Sequence, residues 1–536
     1  MSASPLQDPQ RHLDNLDATY GSLEVEQVRE SPFANRHGHA YTRLETSLSG
    51  RLHGWVYTGG PVARLTDDDY SYLYDAPQIT VPQEHFALSN LADRVRHRSF
   101  DLQLSSVEAH VDELAPATGQ FRGADGAGVD LFVPDDRRHW NGKLFIVQRG
   151  RGVYPPLRPL VAGGPHDLIT LGLGRNEYLE LLLDLGYAAA WLRKDADAAG
   201  RGVSSATTDA GRRYRTTFGP NVGLVGALVE HCRATVAQRM GERPSRVYYY
   251  GHSGGGVSGR LVNYTPGANV GLDGGPLIDG FLISDSGGGR HLPVALDGAG
   301  QDVLLADDTA RAAFAPQIDV TRTLYNVDSY RQLKRENARL LRAKGLADRH
   351  RHYEVAGTSH FDAGQAQEPG SRNYLDLGGL VECLVQALDA WVEDGTPPPE
   401  DGVDDTGAGA PIALPEVAAP LGVFHAGHGA FRGNDAAMRT MLAPFDGKTG
   451  EPVDVDTGRF VDMNANGVQD RREDLPTAWQ RLGLIGRDER FSGDAFLAMT
   501  QRCAVELVER RLLTERAAEW YRRTAAERLH SAGASW

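Results

Sequence analysis

Cysteine is scarce in this chain. Three in 536 residues, Cys232, Cys383 and Cys503, stand far apart and without C-x-x-C spacing. At most one disulfide can form, so a disulfide framework and a cysteine zinc site are both excluded. Cys232 and Cys383 fall in apolar helical contexts and read as buried thiols. Long apolar runs are missing too, since none reaches the roughly 18 residues that a membrane-spanning helix needs. The opening MSASPLQDPQRHLDNLD lacks the hydrophobic core of a secretory signal. That predicts a cytoplasmic protein, unless a signal ahead of this numbering has been removed. Positive charge is in deficit: 56 Lys and Arg against 71 Asp and Glu give a net charge of −15. A nucleic-acid surface needs a basic patch, so nucleic acid is not an expected partner. No repeat of 20–50 residues is visible, and nothing in the sequence reports the oligomeric state.

What is present is a globular composition, 41% hydrophobic and 24% charged, long enough for one large core with smaller appended units. Residues 1–37 are polar and read as a loose arm. From 38 to about 135, short stretches such as ITV (79–81), FDLQL (100–104) and VDLFV (129–133) read as antiparallel strands. The pattern then changes. KLFIVQ (143–148), YAAAWLR (187–193), RVYYY (246–250), IDGFLISDS (278–286), QIDVTRTLY (317–325) and HYEVAG (352–357) are strand-like. Helical stretches at 176–186, 221–240, 329–345 and 375–394 fall between or after them. Strands alternating with helices predict a mostly parallel sheet covered on both faces, an α/β fold of the doubly wound type over 38–400. The segment 287–316 is too long for a simple connection and is expected to be a lid or pocket wall. DGVDDTGAGAP opens a Gly/Asp/Pro-rich linker at 401–432, and 433–536 reads as a helical extension with an amphipathic stretch at 495–513.

The chemistry centres on GHSGGGVSG (251–259). Ser253 follows the strand RVYYY and precedes a helix, with Gly251 and Gly255 two positions to either side. A serine on a sharp strand-to-helix turn needs small neighbours there, and this G-x-S-x-G pattern in that context is a nucleophile elbow. A glycine-rich turn with an incidental serine is the bland alternative. A serine hydroxyl needs a base, and in this architecture the chain order is serine, acid, histidine. His360, in YEVAGTSHFD just past a strand, stands in the right place for the base. Asp328, in TLYNVDSY after the preceding strand, is the leading acid, and Asp285, in LISDSGGG, is the alternative. An aspartate after a strand also serves often as a mere helix cap. The amide of Gly254 would be one oxyanion donor, and the loop RGRG after KLFIVQ would supply the other from Gly150 or Arg151. Arg149 and Arg151 would either attract a substrate carboxylate or simply stay solvated. No cofactor is expected for this chemistry.

A second pattern lies in DMNANGVQDRRE (462–473). Counted from Asp462, oxygens fall at position 1 (Asp462), 3 (Asn464), 5 (Asn466), 7 (the Val468 carbonyl), 9 (Asp470) and 12 (Glu473), with Gly467 at the sharp turn. This spacing wraps a chain around Ca²⁺ and predicts a structural calcium staple. An Asx-rich turn without metal is its plain counterpart.

On YEVAGTSHFD, IALPEVAAPLGVFHA (412–426) and AVELVERRLLTERAAEWYRR (504–523), together with the elbow, the chain resembles bacterial serine hydrolases of the α/β-hydrolase domain family over roughly residues 40–530. WNGKLFIVQ and the later LGYAAAWLR give a fainter similarity to tannase- and feruloyl-esterase-like hydrolases, whose paired cysteines are missing here. The sequence around the acid also departs, with TLYNVD where the family pattern is closer to S-E-T-D. The resemblance implies the α/β-hydrolase fold and hydrolysis of a small or polymeric carboxylic ester, with an amidase, an acyltransferase or a non-catalytic binding protein of the same fold as alternatives.

Overall fold

The computed structural model describes residues 23–58, 110–111, 113–121, 128–148, 178–193, 205–208, 213–214, 222–264, 267–285, 293, 296–297, 305–322, 329–358, 362, 375–421, 441–442, 472–473 and 475–531. The stretches ITV and FDLQL lie outside these residues.

The chain begins with β1 (Leu23–Ala34), β2 (Ala40–Thr58), β3 (His110–Val111), β4 (Glu113–Phe121) and β5 (Gly128–Pro134). Next come β6 (Lys143–Gln148), α1 (Leu179–Asp184), β7 (Ala188–Arg193), β8 (Ser205–Thr208), β9 (Arg213–Tyr214), α2 (Val222–Met240), β10 (Arg246–His252) and α3 (Gly254–Tyr264). The series continues through β11 (Gly280–Ser284), β12 (Leu296–Asp297), α4 (Asp308–Ala313), β13 (Gln317–Arg322), α5 (Ser329–Ala343), β14 (His350–Val355) and α6 (Gly378–Asp394). It ends with β15 (Pro411–Ile412), α7 (Pro415–Ala418), β16 (Met441–Leu442), β17 (Arg472–Glu473), α8 (Leu475–Arg481), α9 (Gly493–Glu509) and α10 (Glu515–Ser531).

One sheet runs β15-β14-β13-β11-β10-β6-β7-β5-β2-β4-β8-β9, with β1 beside β2. From β15 to β7 every neighbouring pair is parallel. From β7 through β5, β2, β4 and β8 to β9 every pair is antiparallel. The parallel half reads as continuous apolar runs because both of its faces are covered. Phe145, Val147, Tyr248, Tyr250 and Leu282 point to one face, where α1, α6, α9 and α10 supply Leu181, Leu384, Leu507 and Tyr521. Leu144, Ile146, Val247, Tyr249, Phe281 and Ile283 point to the other, against Leu228, Val229 and Val236 of α2 and Val262 of α3. Successive side chains alternate between faces, as the two-residue period of a strand requires.

Two stretches behave differently from their composition. Leu23–Ala34 falls in the polar segment expected as a loose arm, yet it pairs antiparallel with residues 40–50 of β2. Glu24, Glu26, Arg29 and Glu30 give it a loop-like composition, and charge is what a strand with no partner on its other side among the described residues tolerates. Pro411–Ile412, inside the Gly/Asp/Pro-rich stretch, adds a strand beside β14. Asp401 accepts from the His352 amide at 2.9 Å and pairs with Arg342 at 2.7 Å. No helix among the described residues is long and apolar enough to cross a membrane.

Candidate active site

The strand order reverses between β6 and β10. From β6 the chain crosses to β7 on one side, then returns to β10 on the other and proceeds to β11, β13 and β14. In open α/β sheets the crevice at such a switch point, beyond the carboxyl ends of the strands, is where ligands bind. Ser253 stands there, at the end of β10.

The turn has the predicted strain. Ser253 adopts φ 56°, a left-handed conformation in a non-glycine residue, which costs of order 1–2 kcal/mol. Its amide donates to the Ser284 carbonyl of β11 at 3.0 Å, so the neighbouring strand helps to hold it. A Cβ on Gly251 would stand 2.6 Å from the Gly255 carbonyl oxygen and 2.7 Å from Gly256 Cα. Backbone cannot yield there, so glycine two residues before the serine is a steric requirement. Gly259 is a further requirement that the motif does not announce: a Cβ would meet the Tyr249 ring at 2.6 Å and Ile283 at 2.8 Å. It lets α3 lie close on β10 and β11.

Gly254 is the first residue of α3, where amides have no intrahelical partner and the helix dipole is positive. Gly150 and Arg151 lie outside the described residues. The last described residue before them, Gln148, pairs with Gly251 across the β6–β10 ladder. The Tyr249 hydroxyl donates to the Gly255 carbonyl at 2.7 Å and also meets the Gln148 side-chain amide. One buried tyrosine therefore ties the first turn of α3 to the end of β6. The local motif gave no sign of it, because Tyr249 reads simply as one apolar residue of a strand.

Asp285 follows β11 as Ser253 follows β10, and it too is left-handed, at φ 47°. It is fully buried. It forms a very short ion pair with Lys334 of α5 and accepts from the Arg322 amide at 3.3 Å. Burial pushes the Lys334 ammonium below its ordinary value, and the charge of Asp285 opposes that fall. Asp328 lies outside the described residues, between Arg322 at the end of β13 and Ser329 at the start of α5. His360 also lies outside them, with Thr358 and Asp362 the nearest described residues on either side, both fully buried.

Asp362 accepts from the Tyr178 hydroxyl in a very short bond and pairs with the Arg322 guanidinium at 3.5 Å. Arg322 also donates to Ser284 Oγ at 3.2 Å. Burial alone would push this guanidinium down, but the charge of Asp362 outweighs it and raises its affinity for the proton. Deeper in the sheet, Asp319 of β13 collects Arg260 of α3 at 2.5 Å, His350 of β14 at 2.7 Å and Asn337 of α5 at 3.2 Å. Burial would raise the Asp319 carboxyl, and Arg260 more than reverses this, holding it below the usual carboxylate range. None of these pairings was legible in the local motifs.

Of the calcium pattern only Arg472–Glu473 is described, paired antiparallel with Met441–Leu442. Asp462, Asn464, Asn466, Val468 and Asp470 lie outside the described residues. No cluster of three or more potential metal ligands occurs among the described residues.

Residues 189–422 match the model of the family described as "Alpha/beta hydrolase domain". No curated protein matches the chain. Among solved structures, it is similar to MGS-M1, an alpha/beta hydrolase enzyme from a Medee basin deep-sea metagenome library, at 9% identity and a TM-score of 0.29, covering 50% of this chain and 92% of that one. It is also similar to a propionate-bound esterase from Thermogutta terrifontis, at 14% identity and a TM-score of 0.30, covering 51% and 92%. An alpha-beta serine hydrolase homologue from Coxiella burnetii matches at 12% identity and a TM-score of 0.24, covering 45% and 86%. The matched segment holds the strained serine turn and all the parallel strands from β10 to β15, so it is this part of the chain that is similar to the alpha/beta hydrolase domain family.

Proposed function

We propose that the chain is a serine hydrolase that cleaves a carboxylic ester through an acyl-enzyme, with Ser253 as nucleophile, His360 as base and Asp328 as the acid that orients it. The observation that carries this reading is the left-handed Ser253 at the switch point, behind a glycine that no other residue can replace. Backbone strain in a residue that is not glycine persists where the surrounding structure enforces it, and such strain gathers at active sites. In the reaction, Ser253 Oγ attacks the ester carbonyl as His360 takes its proton. The oxyanion is met by the Gly254 amide and by that of Gly150 or Arg151. His360 then protonates the departing alcohol, and a water activated by the same imidazole releases the acid. Asp328 is preferred over Asp285 because the carboxylate of Asp285 is already committed to Lys334 and the Arg322 amide. The spacing of oxygens in residues 462–473 supports a separate structural Ca²⁺ site.

A fluorophosphonate probe tests the nucleophile. Wild-type protein should be labelled at Ser253, and Ser253→Ala should take up no label and lose about 10⁴-fold or more in kcat on simple esters. Absence of labelling in the folded wild type would return the chain to a non-catalytic binding protein. Turnover of amides, or transfer to an added alcohol in preference to water, would move it to the amidase or acyltransferase reading.

A further inference from the structure

A continuous buried path of hydrogen bonds and charge leads from the nucleophile turn to the segment after β14. It starts at the Ser253 amide, which donates to the Ser284 carbonyl. The Ser284 hydroxyl accepts from Arg322, Arg322 pairs with Asp362, and Asp362 accepts from Tyr178. The side chains of Arg322 and Asp362 are both 0% exposed. Tyr178 is 1% exposed and left-handed at φ 65°, and its ring packs edge-on against Tyr250 of β10 at 5.2 Å. A buried ion pair held this far from water adds little stability compared with apolar side chains of the same shape. Its geometry is nonetheless specific, because each partner is fixed from a different strand or loop.

We propose that Arg322 and Asp362 are positioning residues, a strut that sets the segment carrying His360 against the Ser253 turn, with Tyr178 locking the Asp362 end. The proposal rests on the reading of Ser253 and His360 as nucleophile and base. His360 is two residues before Asp362, and two residues of chain span at most about 7 Å. The position of Asp362 therefore bounds where the base can lie. The other end of the strut bears on Ser284, whose carbonyl holds the nucleophile's own amide. Arg322 thus touches the support of one reacting group and the anchor of the other.

The test separates positioning from stability. Arg322→Met combined with Asp362→Leu replaces the pair by apolar side chains of similar length, and its melting temperature should stay within a few degrees of wild type. Its kcat on 4-nitrophenyl acetate should nevertheless fall about 100-fold with KM changed less than about 3-fold, the size expected for a misplacement near 1 Å. Tyr178→Phe removes one hydroxyl and should lower kcat about 10-fold, also at nearly constant KM. Unchanged kcat in a folded double variant, or a rise in KM alone, overturns the strut. If the double variant does not fold, Tyr178→Phe decides, and kcat within about 2-fold of wild type overturns the proposal. Failure of the underlying reading looks different: the wild type itself would then show neither turnover nor fluorophosphonate labelling of Ser253, and the strut would fall with it.

Discussion

Ser253 and Asp285 occupy equivalent places. Each is the residue directly after a strand, the two strands are parallel neighbours, and both residues are left-handed without being glycine, at φ 56° and 47°. Their side chains meet opposite fates. Ser253 is only partly buried and leads into α3, whereas Asp285 is sealed in and paired with Lys334. The same strained turn therefore serves two ends. At β10 it holds a partly exposed hydroxyl at the carboxyl edge of the sheet, and at β11 it turns a charge inward to fasten α5. Position at the carboxyl edge of a parallel sheet does not by itself mark a reacting group; what the side chain is already bonded to decides.

The sharpest way to break this comparison is to neutralise the two acid candidates in turn. Asp328→Asn should cost about 10³–10⁴-fold in kcat with little change in melting temperature, as expected when the partner of a catalytic imidazole loses its charge. Asp285→Asn should do the reverse. It leaves the Lys334 ammonium buried without a counter-charge and should lower unfolding free energy by about 3–5 kcal/mol, while the folded fraction keeps most of its kcat. Denaturant titration beside steady-state kinetics reads both, and the opposite ranking would transfer the acid to Asp285.

Another inward-facing group should likewise appear in stability rather than in rate. His352 of β14 donates from Nδ1 to the Gly407 carbonyl at 3.1 Å, so Nε2 accepts from the Thr321 hydroxyl at 2.7 Å. Burial pushes this imidazole down from 6.5 to about 4. Above pH 6.5 it is neutral in both folded and unfolded chains and contributes no pH dependence. As pH falls from 6.5 towards 4 the unfolded chain takes up the proton and the folded one does not, so stability is lost progressively, by about 3 kcal/mol in all. Urea midpoints measured across that window should fall in the wild type and fall less in His352→Asn. Parallel curves would remove His352 from the account.

Calcium extends the contrast beyond the sheet. If residues 462–473 hold Ca²⁺, EGTA should lower the melting temperature by a few degrees and excess calcium restore it, with kcat little changed. A ligand at about 100 times its dissociation constant adds about 2.7 kcal/mol. Equal melting curves, from protein that metal analysis shows to be calcium-free in EGTA, would remove the site. The smallest effect on stability returns to the serine. Ser253→Gly should abolish activity while stabilising the fold by about 1 kcal/mol, because glycine adopts the left-handed turn without steric cost. A loss of stability there would mean the turn is not strained.

The serine turn was legible because its constraints are local. An apolar run, a glycine at 251 and a helix start fall within nine residues, and each has a steric reason. The parallel strands were legible as uninterrupted apolar runs for the same kind of reason. The partners of Asp285, Asp319 and Asp362 were not, since Lys334, Arg260 and Tyr178 lie 49, 59 and 184 residues away from them, and only the folded sheet brings them together. β1 was hidden by its charge, and β15 by having two residues, too few for any period to show.

Leu507, Leu512, Ala517 and Tyr521 share one buried cluster with Tyr178, Tyr250 and Tyr353, and this has a consequence for how the protein is made. The segment that matches the family model ends at residue 422, about a hundred residues before that cluster is complete. At about 5–20 residues per second a ribosome needs roughly 5–20 s to cover the gap. Throughout that interval α1 and α6 can already cover the face of the sheet behind the nucleophile strand, but the share that α9 and α10 supply is open to water. A nascent chain at this stage presents that uncovered apolar surface to chaperones, and a message truncated after residue 422 would yield a product that holds the serine turn but lacks the two helices that complete the cluster.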